Sequence, residues 1–561
     1  MLNSIDVAII VGSLLLVTSV GVMAGRKRAE SARGYFLGGN RMPWWLIGTA
    51  FVATGISSEQ MIGTVGVTYE QGMGIANWEW FSLPCYTLVL TFFIPIYLKN
   101  RVTTVPGFLA DRFGPACGTI YSCMLLVFYV CIYTVTVLYA GSLAFSRVAF
   151  PEVAAHWPCY ETISRCFASW GMEFTDQVAA HCAFYIVLLV IVAAVGAYSI
   201  HGGLSSVMWA DFFQCILLMA GGITLFFAAL SHIPGGWTEL VAKSPLRMHL
   251  YQPPDHPMAP FLGMIIATFG AFTFYQVGNQ AMIQRMLAAR SAWDALMGLV
   301  AASFINFLRP LVTCFLGLAV YHWIFVMHRD APLEKGDLAF TFALGRFAPS
   351  WGVRGIVVAG LVAAVMAALS AQVNAASTLF SNDIYRKLIR PAAGDREMVR
   401  VGRFASFTVL LLAAVISPVV GYYGIFKFFQ FSLTAIAIPF MATALMGILW
   451  KRVNYPAALF GLVGGVLITA TLLTVFSGVK GVPKLHFFYI GGIAEVVVMI
   501  GIGAVTLATA PPDAAKVAPY VWNLRVLQAY DDALPRPWYQ QVKLWWLIIA
   551  VIWFYLYWKF W

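Results

Sequence analysis

From Thr54 to Gln60 the chain reads TGISSEQ: hydroxyls, a glycine, a carboxylate and an amide inside an apolar run that begins at Trp44 and resumes at Met61. In a bilayer each unsatisfied backbone group costs several kcal/mol, and a charged side chain costs roughly 2.5–3.5 kcal/mol. Such a stretch persists where a helix is interrupted to line a cavity. Interrupted helices that expose carbonyls and polar side chains at mid-membrane depth are how secondary transporters hold ions and solutes. A second apolar run is disturbed in the same way at Tyr275-Gln276-Val277-Gly278-Asn279-Gln280.

The elements that position these residues are membrane spans. The chain has 561 residues, of which 61% are hydrophobic and 11% charged, with a mean hydropathy of +0.80. Soluble domains lie near ~45–50% apolar and ~25% charged, so the composition specifies a polytopic membrane protein. Apolar segments predict about fourteen transmembrane helices, the first (Val7–Ala24) long enough to stay as a span rather than a cleaved signal. The net charge of +11 collects in short connections between spans, the pattern of the positive-inside rule and not of a nucleic-acid-binding patch. The richer set of connections, which includes Arg112, Arg285 and Arg386, is expected on the cytoplasmic side, with both termini outside. The two interruptions sit five spans apart, which points to inverted repeats over residues 43–230 and 259–449 with a site between them. Residues 1–42 then form an extra N-terminal helix and cytoplasmic loop, and residues 450–561 three further helices.

The cysteines lack metal or redox spacing. Cys159 and Cys166 share one polar connection and form either a local disulfide or two free thiols. No Walker loop, nucleophile–base pair or metal spacing supports an enzyme. An all-α transporter needing no cofactor is expected, in the cell membrane, with a small polar solute and Na+ or H+ as its partners.

Five ordered motifs carry a resemblance: YFLGGNRMPWWLIGTAFVATGISSEQMIG (35–63), EWFS (79–82), YSIHGGLSSVMWADFFQ (198–214), NQAMIQRMLAA (279–289) and NAASTLFSNDIYRK (374–387). Together they resemble the sodium:solute symporter family, most closely its bacterial sodium/galactose branch and more distantly the human sodium–glucose cotransporters. The resemblance implies a LeuT-like 5+5 inverted-repeat core with one span before it and three after.

It also implies a sugar site. The contacting positions fall on Gln60, on Glu79 with Ser82, and on Gln430, while Tyr275 falls on an aromatic gate. Amides and carboxylates suit hydroxyls that both donate and accept, and rings cover the apolar faces of a sugar. Glu79, between Trp78 and Trp80, also fits a carboxylate reaching for the outer interface. Two positions depart from the branch: its site asparagine becomes Phe272 and its site lysine becomes Asn306. Arg309, three residues on and beside Pro310, needs an anionic partner or a polar cavity. Replacement of the missing lysine, an acidic substrate such as a uronate or sialic acid, and an internal ion pair are all open.

For sodium, the resemblance implies backbone carbonyls at Ala53 and Ile56 and at Ala364. The two hydroxyl positions that complete the set fall on Ala367 and Ala368, whose methyls cannot coordinate. Ser370, one turn from Ala367, and Asp211 are the nearby candidates to fill in. Asp211 otherwise belongs to a buried ion pair. Asp211 or Glu59 could instead carry a proton, and an uncoupled carrier or sensor is the remaining alternative.

Overall fold

The computed structural model describes residues 2–26, 30–149, 150, 160–169, 173–349, 351–420, 425–479, 481–530 and 536–561. They form helices α1 (Ser4–Gly25), α2 (Trp44–Thr54), α3 (Ser58–Gln71), α4 (Met73–Lys99), α5 (Pro115–Ala149) and α6 (Asp176–Ser231). Then follow α7 (Phe261–Val277), α8 (Gln280–Leu287), α9 (Ala292–Val326), α10 (Val353–Ile389) and α11 (Asp395–Val419). The last are α12 (Ile425–Leu449), α13 (Tyr455–Gly478), α14 (Phe487–Ala508) and α15 (Val542–Lys559). Among the described residues β pairing is confined to one isolated bridge, Met42 with Ala289.

Among the described residues eleven helices are long and apolar enough to cross a membrane, twelve with the bent pair α7–α8 counted as one span. The expected fourteen exceeds this for two physical reasons. The pieces α2 and α3 are each too short to qualify. The 56-residue α6 would be ~84 Å long at ~1.5 Å per residue, far beyond a hydrocarbon core of ~30 Å. It turns at Gly203, whose φ of 60° and ψ of −153° are not helical. A Cβ there would lie 2.3 Å from the Tyr35 carbonyl, so only glycine fits both the dihedral and the space.

Both interruptions expected from sequence are present. The first falls at Gly55–Ser57. Ser57 is extended (φ −128°, ψ 173°), and the Gly55 N–H closes the end of α2 on the carbonyls of Phe51 and Val52. The second bends the chain by 60° between α7 and α8, with Asn279 extended (φ −75°, ψ 110°). Its loose backbone groups are taken up by α5. The Tyr121 hydroxyl donates to the Gly278 carbonyl at 2.9 Å, and the Ala281 N–H donates to the Tyr129 hydroxyl at 3.0 Å. In lipid such protein partners replace the missing water.

The two broken helices run in opposite senses. The entry to α2 meets the exit from α8, with Met42 N–H on the Ala288 carbonyl and Arg290 N–H on the Met42 carbonyl. At the other end, the Arg247 guanidinium, just before α7, donates to the Tyr69 carbonyl in the last turn of α3. Helix α10 is the most enclosed of the spans and packs on α1, α2, α5 and α6. Helix α1 is tied to it by the Asp6 carboxylate, which accepts the Gly355 N–H at 2.8 Å.

Candidate substrate and cation site

The first break places Gln60 in the opening turn of α3, while α4 and α9 bring Glu79 and Arg309 to the same place. Arg309 is the hub. Its Nη2 lies 2.9 Å from Glu79 Oε2 and donates to the Gly55 carbonyl at 3.0 Å and to Gln60 Oε1 at 3.2 Å. Its Nη1 donates to Asn306 Oδ1 at 3.2 Å. The Asn306 amide in turn donates to the Tyr86 hydroxyl at 2.8 Å. Thr313, one turn beyond Arg309, donates to Glu79 Oε1 at 3.3 Å. The acid is 3% and the base 9% exposed, so the pair is desolvated and survives because nearly every charge-bearing atom has a partner. Thr64 on α3 closes the ring by bonding the Thr313 carbonyl.

Gln60, Glu79 and Asn306 are thus joined in one network, in which Arg309 makes an internal ion pair. Ser82 lies half-buried one turn from Glu79. Glu79 is buried within the protein, which excludes a carboxylate reaching into the interface. The Tyr275 hydroxyl bonds that of Tyr133 on α5. The Tyr133 ring packs on Phe429 with centroids 5.0 Å apart, and the neighbouring Gln430 is buried. Phe272, in the place of the branch's asparagine, meets Trp78 edge-on at 5.6 Å.

The cation positions are less well furnished. Ala53, Ile56 and Ala364 are all buried, where α2 packs on α10. The Ala53 carbonyl accepts the Ile56 N–H at 3.4 Å. Ala367 and Ala368 offer only methyls, and the Ser370 hydroxyl turns back to the Ala367 carbonyl at 3.1 Å. Asp211 pairs with Arg285, with Oδ2 2.6 Å from Nη2, both side chains fully buried; Oδ1 has no hydrogen-bond partner. Among the described residues no cluster of three or more His, Cys, Asp or Glu is placed to hold a metal ion. The side chain of Glu59 and the whole of Cys159 lie outside the described residues; Cys166 is a free, exposed thiol.

Arg285 is a correction. Counted with the loop charges, it is instead 1% exposed and inside the bundle, because Asp211 and the Ala281 carbonyl hold it there. Arg112, counted likewise, is buried and caps the carbonyls of Gly447 and Val453 at 3.1 and 3.0 Å. Sequence reading also missed Tyr86, Tyr133 and Thr313, for which single polar groups in apolar helices gave no distinguishing signal. In both buried ion pairs the carboxylate comes from the chain before residue 231 and the guanidinium from the chain after residue 259.

Paired broken helices in opposite senses, wrapped by further spans and enclosing a buried polar network, define a secondary transporter of the LeuT-like class. The model of the Sodium:solute symporter family matches residues 35–150 and 174–465, and the chain belongs to that family. It is 30% identical over 495 residues to the sodium/glucose cotransporter of Vibrio parahaemolyticus, spanning 83% of this chain and 84% of that one. It is 26% identical over 566 residues to the human sodium/myo-inositol cotransporter 2, spanning 93% and 79%. The fold is shared with a Na+-coupled sialic acid symporter solved in a substrate-bound outward-open state, with a TM-score of 0.74 at 20% identity over 91% of this chain and 99% of that one. The protein is therefore a multi-pass sodium:solute symporter.

Proposed function

We propose that the protein takes up a neutral polyhydroxylated solute, a sugar or cyclic polyol, by alternating access with sodium as the coupling ion. Gln60, Glu79, Ser82, Asn306 and Gln430 form the solute site and Tyr275, with Tyr133, its gate. One observation carries the choice of a neutral solute: Arg309 is already matched by Glu79 at 2.9 Å. A substrate carboxylate would have to displace Glu79 and leave it buried without a partner, a cost of about 3–5 kcal/mol. A ring of hydroxyls asks only for donors and acceptors, which the amides and the carboxylate supply. The two termini face outward on this reading, since the basic connections favour the cytoplasmic side.

A second energy source is favoured by a specific observation. Ala367 and Ala368 provide no ligands, and Asp211 is neutralised by Arg285, so proton coupling or facilitated transport on the same scaffold is the alternative. Uptake into proteoliposomes tests both questions at once. Labelled glucose, galactose and myo-inositol are compared with glucuronate and sialic acid under an inward sodium gradient, an inward proton gradient and no gradient. Accumulation of a neutral solute driven by sodium alone is expected. Uptake restricted to the acidic solutes defeats the substrate assignment, and uptake indifferent to sodium defeats the coupling.

A further inference from the structure

Helix α14 lies outside the network just described, yet carries a carboxylic acid in mid-span. Glu495 is ~12 Å in from the first turn at ~1.5 Å per residue, 6% exposed, and its Oε1 has no hydrogen-bond partner. It faces a small cavity bounded by Ile266, Gly270, Thr434, Ile438, Phe488 and Gly491. Across the cavity runs Thr268–Phe272 of α7, a widened π-type turn in which Gly270 leaves helical geometry (φ −101°, ψ −105°). Such turns are frequent at functional sites. The approach is close: a Cβ on Gly270 would stand 2.7 Å from Glu495 Oε2. Thr434 donates its hydroxyl proton to the Gln430 carbonyl at 2.8 Å, which leaves its oxygen free to accept.

Among the described side chains the elements packed on α14 bring few other ionisable groups: Tyr275 on α7 and Tyr455 at the start of α13, with His486 capping α14 and Tyr489 in its first turn; the side chain of Lys427 on α12 lies outside the described residues. No described side chain of these acts on the carboxylate. A carboxylate ionised in such a place without a counter-charge costs several kcal/mol, and the neighbouring oxygens are acceptors.

We propose that Glu495 is a cation-binding carboxylate, taking a proton or a sodium ion in the cavity it shares with Gly270 and Thr434, and that filling this site holds α7 against α14. The consequence reaches the solute site through contacts already given. Two residues beyond Gly270, Phe272 packs on Trp78 beside Glu79, and the same helix bears Tyr275 and ends at the second break. When α7 swings away, water reaches the carboxylate and the cation is released, so occupancy and conformation shift together by the difference in affinity between the two states. The site is distinct from the Arg309 network and does not depend on which solute is carried.

The test is carbodiimide labelling of the full-length protein in liposomes, since dicyclohexylcarbodiimide modifies protonated carboxyls in apolar surroundings. Mass spectrometry of the α14 peptide reads the adduct. Labelling of Glu495 at low pH without sodium is expected. Its loss on raising the pH from about 5 to about 9 identifies the proton; its loss on adding sodium chloride but not choline chloride at fixed pH identifies sodium. Glu495→Gln, which keeps the shape, is expected to abolish the matching dependence of uptake on pH or on sodium. Labelling that neither pH nor sodium alters, or no labelling at all, overturns the proposal, and this readout stands whether or not the variant folds.

Discussion

Arg309 on α9 and Glu79 on α4 face each other across the first helix break, 2.9 Å apart and sealed from water. The guanidinium also holds the Gly55 carbonyl and the Gln60 amide, so one side chain fastens the interrupted helix to both of its neighbours. The break is thereby stiffened by a buried charge pair.

Removing one member strands the other. Glu79→Gln is expected to lower stability by about 3–5 kcal/mol, read as a fall in the melting temperature in detergent. The double variant Glu79→Gln, Arg309→Gln should recover most of that loss, because no buried charge is then left over. Equal loss in the single and double variants would show that the two groups do not act as a pair.

Gln60→Ala should leave a folded protein with badly impaired uptake. The amide lies half-buried and accepts one bond of 3.2 Å from Arg309, so its structural role is small. A rise in KM of tenfold or more, about 1.4 kcal/mol, is expected; unchanged KM would remove Gln60 from the solute site.

Restoring hydroxyls to α10 should strengthen sodium dependence. Ala367→Ser with Ala368→Thr adds two oxygens beside the α2 end, at positions that are fully buried. The sodium concentration for half-maximal uptake is expected to fall about tenfold. No change would mean that the coupling ion binds elsewhere, and the Glu495 cavity is the next place to look.

Gly203→Ala should disable folding. The new methyl would meet the Tyr35 carbonyl at 2.3 Å in a left-handed conformation, a backbone strain of about 1–3 kcal/mol before the overlap is counted. Loss of monodisperse protein in size-exclusion chromatography checks this, with Gly12→Ala, which meets nothing within 4 Å, as the control.

How much of this was legible in the residues follows from what each signal measures. TGISSEQ and YQVGNQ announce their breaks because polar groups in apolar runs are costly, and hydropathy sees that cost directly. The number of spans depends on how a turn is counted: the sequence divides this stretch into spans 178–200 and 204–230, and the structure runs them together as α6 through a turn at Gly203. The charge count did not foresee that Arg285 and Arg112 are buried, because a basic residue at the end of an apolar run reads the same whether it meets lipid headgroups or buried carbonyls. Arg309 was visible as an anomaly, but its partner lies 230 positions away in the chain, a relation that only the fold supplies.

The division of charge between the two halves has a bearing on biosynthesis. Asp211 leaves the ribosome 74 residues ahead of Arg285, and Glu79 waits longer still for Arg309. Through that interval each acid enters the translocon with no base to meet it. The early helices must therefore stay beside water, chaperone or one another until the later ones arrive, so a chain halted midway would be a substrate for membrane quality control and not a half-carrier.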